Sequence, residues 1–246
     1  MRLAILSLSL LPATSLCAAP PEAPIRWGFS PADPAPYVIT QSDNSLAPSS
    51  LTYLIGNLVA DQHGKQVDFI PTPNNRIDES LQQGRIELLC NTQPDWHANP
   101  NDYLWTQPLY SDADIIVSRE HPAPDSLSDL HGKVLGTTLG YHYADALNRA
   151  FQDQQVNRHD VRDISVRMAM VQRGRLDASI ELRRAARFYI RQENVSELHL
   201  SDWSLESFDL RCAIAGNDQA RRNKLRNSIN ELLAEGVIQR LVRRYD

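Results

Sequence analysis

The sequence predicts an α/β protein built from two strand–helix units, each a mostly parallel sheet with helices on both faces. Three observations carry this reading. Short apolar strands alternate with amphipathic helices between residues 25 and 90. The alternation begins again after residue 110. The chain has 246 residues, enough for two lobes of about 100–150 residues each.

The elements follow in order. Arg2, the apolar run Leu3 to Leu11 and the small residues ending at Ala18-Ala19 have the pattern of a secretory signal peptide over 1–19. Its apolar run is shorter than the roughly 20 residues that span a bilayer. Leu16 is too large for the position before a lipidated Cys17, so plain cleavage after Ala18 or Ala19 is expected. Ile25 to Phe29 is the first strand, and residues 30–48 form a long loop punctuated by Pro and Asp. Leu51, Leu54, Ile55, Leu58 and Val59 line one helix face, with Ser49 or Ser50 as cap and Gly64 as stop. Val67 to Ile70 is a strand. Asn75 with Asp78 resembles a capping box for a helix over 76–83, Gly84 ends it, and Ile86 to Cys90 is a buried strand.

In the second unit, Ala113–Val117 and Val134–Thr138 are strands joined by the turn-rich Pro124–Gly132. Tyr143 to Phe151 is a helix, and Ser165 caps another that carries Met168, Ala169 and Val171. Leu176 to Leu182 is a strand, 183–191 a helix, 197–200 a strand edge and 208–215 a strand. Residues 217–244 form two helical stretches broken at Gly236. The two units show no sequence repeat. Ligands of such sheets bind beyond the carboxyl ends of the strands, which directs attention to the loops after Phe29, Ile70 and Cys90.

Composition narrows the function. With 42% hydrophobic and 22% charged residues the chain is globular in type. A net charge of -5 argues against non-specific nucleic-acid binding, and the Arg clusters at 183–191 and 240–244 read as solvated helix faces. The seven His show no metal-ligand spacing. There is no Gly-rich phosphate loop and no readable nucleophile–base constellation.

Five segments, LQQGRIELLCN (81–91), WTQPLY (105–110), SLSDLHGKVLGTTLG (126–140), GRLDASI (174–180) and LLAEGVIQRLVRRYD (232–246), occur in the order and spacing of a known family. Over residues 25–246 the chain resembles the bacterial solute-binding protein family 3, the amino-acid-type periplasmic binding proteins. The resemblance implies the two-lobed type II fold with two hinge crossovers, near 111–115 and 205–210. Lobe one would comprise 25–110 plus 211–246, and lobe two 111–210. It implies a periplasmic protein that captures a small polar or aromatic, amino-acid-like solute in the interlobe cleft and delivers it to an inner-membrane ABC permease. It implies a monomer with no cofactor, metal or nucleic acid. Two alternatives use the same cleft: a ligand sensor reporting to a membrane receptor, and a dehydratase-like enzyme with Glu181 and His142 as acid and base.

The family's anchors for a free α-amino acid are replaced. Its carboxylate-binding Thr-x-x-Arg falls on Trp96 and Asn99, and Asn cannot replace a bidentate guanidinium. Its ammonium-binding Asp falls on Leu182, with Glu181 beside it, able to substitute only through a bulge. Its Ser/Thr helix start reads Gly140-Tyr141-His142-Tyr143. The cleft set implied is Tyr37 on the first loop, Asn74 and Arg76 on the second, Asn91, Thr92, Trp96 and Asn99 on the third, then Tyr110, Tyr141, His142, Tyr143 and Glu181. Arg76 is read as the anion partner of this set or as a solvated first-turn Arg, and Trp96 as a stacking surface for a ring or cation or as a packing aromatic of lobe one. In this fold Cys212 returns antiparallel beside Cys90, as a disulfide or as two buried thiols.

Overall fold

The structure is a computed structural model that describes residues 23–141 and 143–245. The signal-peptide segment 1–19 and His142 lie outside the described residues.

The strands are β1 (Ile25–Phe29), β2 (Val67–Pro71), β3 (Leu88–Thr92), β4 (Leu104–Trp105), β5 (Tyr110–Ser118), β6 (Val134–Thr137), β7 (Asn157–Asp160), β8 (Ala178–Leu182) and β9 (His199–Ile214). The helices are α1 (Leu51–His63), α2 (Ile77–Gln82), α3 (Asp145–Gln152), α4 (Ile164–Gln172), α5 (Arg183–Gln192), α6 (Gln219–Ala234) and α7 (Val237–Val242). The strand order is β2-β1-β3-β9-β5-β8-β6-β7, with β4 also on β9. Pairing is parallel in β2-β1-β3 and in β8-β6-β7, and antiparallel where β5 and β9 cross between the halves. Each half is packed on both faces. One half holds Trp27, Leu51, Ile55, Cys212 and Ile229 on one side and Leu81, Ile86 and Leu89 on the other. The second holds Leu135, Leu147 and Ile180 on one side and Ile115, Met168 and Val171 on the other. This is the two-lobed α/β architecture expected from the sequence.

The two halves carry one repeated device that the sequence reading passed over. Gly84-Arg85-Ile86-Glu87 and Gly174-Arg175-Leu176-Asp177 occupy equivalent places. Each glycine ends a helix at φ 67, a left-handed conformation that suits Gly. Each acid then accepts a backbone N–H of the neighbouring parallel strand: Glu87 from Arg26 at 3.0 Å and Asp177 from Val134 at 2.7 Å. The residue between them packs on a strand glycine. A Cβ on Gly28 would lie 2.5 Å from Ile86, and one on Gly136 would lie 2.7 Å from Leu176. The motif is thus the splice that joins helix to strand at a fixed register in both lobes.

Several boundaries differ from expectation. The two segments 197–200 and 208–215 are one 16-residue strand, β9. Register shifts against β5 change its inward phase midway, which hides the alternation in the sequence. β7 is an all-exposed polar edge strand with no apolar signal. α3 begins at Asp145, leaving Tyr143 in the preceding loop. Asp163, not Ser165, caps α4, accepting the Val166 N–H at 3.1 Å. The Asn75–Asp78 capping box does not form. A 3-10 turn over Asn74–Arg76 leads into α2, and Asp78 turns instead to His97 and the Ala98 N–H. The two cysteines form the disulfide Cys90–Cys212, which ties β3 to β9.

Candidate functional site

The site is organised by alternation along β5. Tyr110, Asp112, Asp114 and Ile116 share one face. Tyr110 belongs to the core of one lobe and Ile116 to that of the other. Asp112 and Asp114 therefore lie on the seam between them. Directly paired residues share a face in an antiparallel ladder, so the pairs Asp112–Phe208 and Asp114–Glu206 add Phe208 and Glu206 from β9.

Side chains from both lobes converge here. Tyr37, from the loop after β1, donates to Asp112 and stacks on Tyr110 at 5.8 Å between ring centroids. Arg184, at the start of α5, donates to the Tyr37 hydroxyl at 2.9 Å and lies 3.6 Å from Asp112. Its guanidinium also sits 5.3 Å from the centre of the Tyr110 ring. Tyr110 donates to Asn91. Asn91 sits at a register shift between β3 and β9 with φ 59, a left-handed conformation Asn tolerates better than most residues. From there its amide also reaches Thr52, at 3.2 Å, and hydrogen-bonds Asp33.

On the other side of the seam Trp96 meets Phe208 edge-on at 5.1 Å and Tyr141 at 6.0 Å. Tyr141 donates to Asp114 Oδ1 at 3.2 Å. Asp114 is 2% exposed, and its other oxygen, Oδ2, has no hydrogen-bond partner among the described residues.

The electrostatics follow from burial. Desolvation pushes the Asp114 carboxyl up to about 8; the Tyr141 hydrogen bond opposes this, and Glu206, Asp112 and Glu181 reinforce it. Desolvation likewise pushes Asp33 up to about 7, against the hydrogen bond from Asn91. The Tyr37, Tyr110 and Tyr141 hydroxyls are raised chiefly by burial and stay protonated donors.

A stability consequence has a definite sign. An Asp whose folded pKa is raised has no penalty below its unfolded value near 4. The folded state then loses relative stability as pH climbs to the folded value. Asp114→Asn keeps an acceptor for Tyr141 and removes that penalty. Its melting temperature is expected to exceed the wild type's by an amount that grows between pH 5 and pH 8, reaching several degrees. Melting curves at pH 5, 6.5 and 8 check this, and a constant or shrinking difference contradicts it.

The structure sorts the sequence-derived set. Tyr37, Asn91, Trp96, Tyr110 and Tyr141 come together. Glu181 does not join them: β8 runs without a bulge, so Leu182 faces the seam and Glu181 faces away. There it pairs with Arg167 at 2.6 Å and accepts from Ser179, with both charged side chains almost fully buried. Thr92 is buried against His97, 2.7 Å from Nε2, while His97 Nδ1 lies 2.5 Å from Asp78. Tyr143 packs with Leu147, and its hydroxyl accepts the Thr138 N–H at 2.7 Å. Asn74, Arg76 and Asn99 are exposed. An open recess of about 620 Å³ lies between Gln93–Asp95 and the β5–β9 residues Ser111, Ser207, Phe208, Asp209 and Arg211; Ser111, Ser207 and Asp209 are on the ladder face opposite Asp112 and Asp114.

Asp33, Asp112, Asp114, Arg184, Glu206 and Phe208 were missed. The spacing Tyr110-x-Asp112-x-Asp114 was the available signal, one strand face at i, i+2 and i+4. It was lost because the expected strand began at Ala113.

Known proteins of this architecture match the chain. A model of the bacterial extracellular solute-binding proteins, family 3, matches residues 25–245. A probable amino-acid-binding protein of Bacillus subtilis (strain 168), YxeM, is 23% identical over 168 residues, which cover 67% of this chain and 63% of that protein. The chain therefore aligns with less than two thirds of that relative's length. Among solved structures, an ancestral arginine-binding protein bound to arginine is 18% identical with a TM-score of 0.73, covering 90% of this chain and 97% of that one. The GluR0 ligand-binding core complexed with L-glutamate is 16% identical with a TM-score of 0.73, covering 91% and 98%. The ancestral amino-acid-binding protein AncCDT-1, a precursor of cyclohexadienyl dehydratase, is 18% identical with a TM-score of 0.70, covering 90% and 94%. At these identities the structures share the fold, and the family match over nearly the whole described chain supplies the classification: the protein belongs to the bacterial extracellular solute-binding proteins, family 3.

Proposed function

We propose that the protein is a periplasmic binding protein that captures a small polar or aromatic, amino-acid-like solute between its lobes for an inner-membrane ABC transporter. Lobe one is 25–110 plus 211–246 and lobe two 111–210. The observation that carries this reading is the seam. Both chain crossings, β5 and β9, run through it, and Tyr37 and Trp96 from one side meet Asp112, Arg184 and Tyr141 from the other. Two lobes joined by two strands hinge, and a solute whose groups touch both sides favours the closed form. The signal-like sequence pattern over 1–19 supports export. The acid–base role considered for Glu181 has no support, since its carboxylate is taken up by Arg167 away from the seam.

Binding to the native state alone raises stability by about 2.7 kcal/mol when the solute is at 100 times its Kd. In a chain of this size that is a rise of roughly 5–10 °C in melting temperature. Thermal shift and small-angle scattering of the mature protein against a broad panel of small polar solutes test the reading. A melting shift accompanied by compaction supports it, and a panel that produces neither rejects it.

A further inference from the structure

Resting on that reading, we infer that the solute is an organic cation, an amine or guanidinium on an aromatic or apolar body, with Asp114 as its charge partner. The first ground is the charge of the seam. Four carboxylates, Asp33, Asp112, Asp114 and Glu206, are gathered there. The cation seen among them, Arg184, is already turned to Asp112 and to the Tyr37 hydroxyl. A solute carboxylate entering beside Glu206 and Asp112 would meet like charge.

The second ground is independent of charge count. Asp114 is 2% exposed and has one carboxylate oxygen without a partner. A buried acceptor left unpaired is costly, and such groups are few in native proteins. Once Asp114 ionises, that oxygen needs a hydrogen-bond donor, and an ammonium or guanidinium supplies donor and charge together.

The third ground is the wall around it. Trp96, Phe208 and Tyr141 cluster beside Asp114, which Tyr141 contacts directly. Aromatic faces attract cations and hold apolar bodies, and they offer nothing to an anion. Leu182, the cross-strand partner of Asp114, adds an apolar surface on the same face.

Tyr141, Glu206 and Asp112 face Asp114, all acids or hydroxyls, while Glu181 acts on it only through its charge from the opposite strand face. Burial therefore keeps a proton on Asp114 near neutral pH, and an arriving cation displaces it. Binding is expected to release up to one proton per cation at pH 7, read by calorimetry in buffers of different ionisation enthalpy.

The decisive experiment compares tyramine, agmatine, putrescine and choline with 4-hydroxyphenylacetate, L-tyrosine and L-arginine as titrants of the mature protein. At least one of the four cations is expected to bind, with the anion inert and the zwitterions weak or inert. Asp114→Asn is expected to weaken that cation at least tenfold. The variant's own melting curve shows that it is folded, and Trp96→Ala, which leaves every carboxylate in place, is a second variant expected to weaken the same cation. Binding of the anion, binding of a zwitterion that Asp114→Asn leaves unchanged, or binding of none of the four cations overturns the inference. If a solute outside the cation class still compacts the protein, the binding-protein reading survives that result; if no solute does, both fall.

Discussion

Replacing Arg167 with Ala is expected to destabilise the protein by about 3–5 kcal/mol, the usual cost of stranding one member of a buried ion pair. Arg167 and Glu181 are 3% and 2% exposed at their side chains and lie 2.6 Å apart. Two parallel contacts join them, Nε to Oε1 at 2.8 Å and Nη2 to Oε2, while Nη1 donates to the Val161 carbonyl at 2.7 Å. Burial by itself would lower the pKa of the guanidinium, and the charge of Glu181 more than offsets that, so Arg167 remains charged. Removing it leaves a buried carboxylate whose remaining side-chain donor among the described residues is Ser179. The melting temperature is expected to fall on the order of 10 °C. Replacing both residues together, as Arg167→Met with Glu181→Leu, is expected to recover most of the loss, because no stranded charge remains. Urea denaturation of the two variants and the wild type measures this. A loss below about 1 kcal/mol for Arg167→Ala would contradict the buried pairing.

The same pair shows where sequence reading stopped. Local patterning was enough for the lobes: the face of α1 and the order of strands β1, β2 and β3 follow from periodicity alone. The family resemblance, not patterning, put Leu182 at an anchor position, and Glu181 was counted in the cleft on the condition of a bulge that β8 does not have. What periodicity does not carry is the partner across the fold. Arg167 lies on α4, 14 residues from Glu181 in sequence, and nothing in its own helix marks it as an interior residue. Asp112 and Asp114 were hidden for a different reason. Carboxylates at alternate positions ordinarily mark the solvated face of a strand, and here that face is turned inward because β5 crosses between two cores. Asn91 belongs to a third kind. Its usefulness depends on a positive φ at a register shift, which is a property of the β3–β9 pairing and not of residues 88–92. Tyr37, Trp96, Tyr110 and Tyr141 were legible because large aromatics in loops at strand ends are conspicuous in any register.

Opening the Cys90–Cys212 bond is expected to have an effect of the same size through a different state of the protein. The two residues are 122 positions apart, and the loop they close contains β4 to β8 and α3 to α5. In the chain-entropy account, a cross-link over about 100 residues stabilises by about 4–5 kcal/mol, mainly by restricting the unfolded chain. The measured loss is expected at about 2–5 kcal/mol, a fall on the order of 10 °C in melting temperature. The bond also sits beside Asn91, at the register shift where β3 turns its amide toward Thr52, Asp33 and Tyr110. These hydrogen bonds hold Asn91 independently of the sulfurs. The Cys90→Ala/Cys212→Ala double variant is therefore expected to lose stability while changing solute affinity less than threefold at a temperature where it remains folded. Comparing its melting curve with that of the wild type, with and without reductant, separates the cross-link from the side chains. Reductant should lower the wild-type curve toward that of the variant and leave the variant unmoved. Two titratable thiols in the denatured, unreduced mature protein, or a wild-type curve indifferent to reductant, would show that the bond does not contribute. A coupled loss of stability and affinity would instead show that the cross-link, rather than the hydrogen bonds around Asn91, fixes the geometry of the seam.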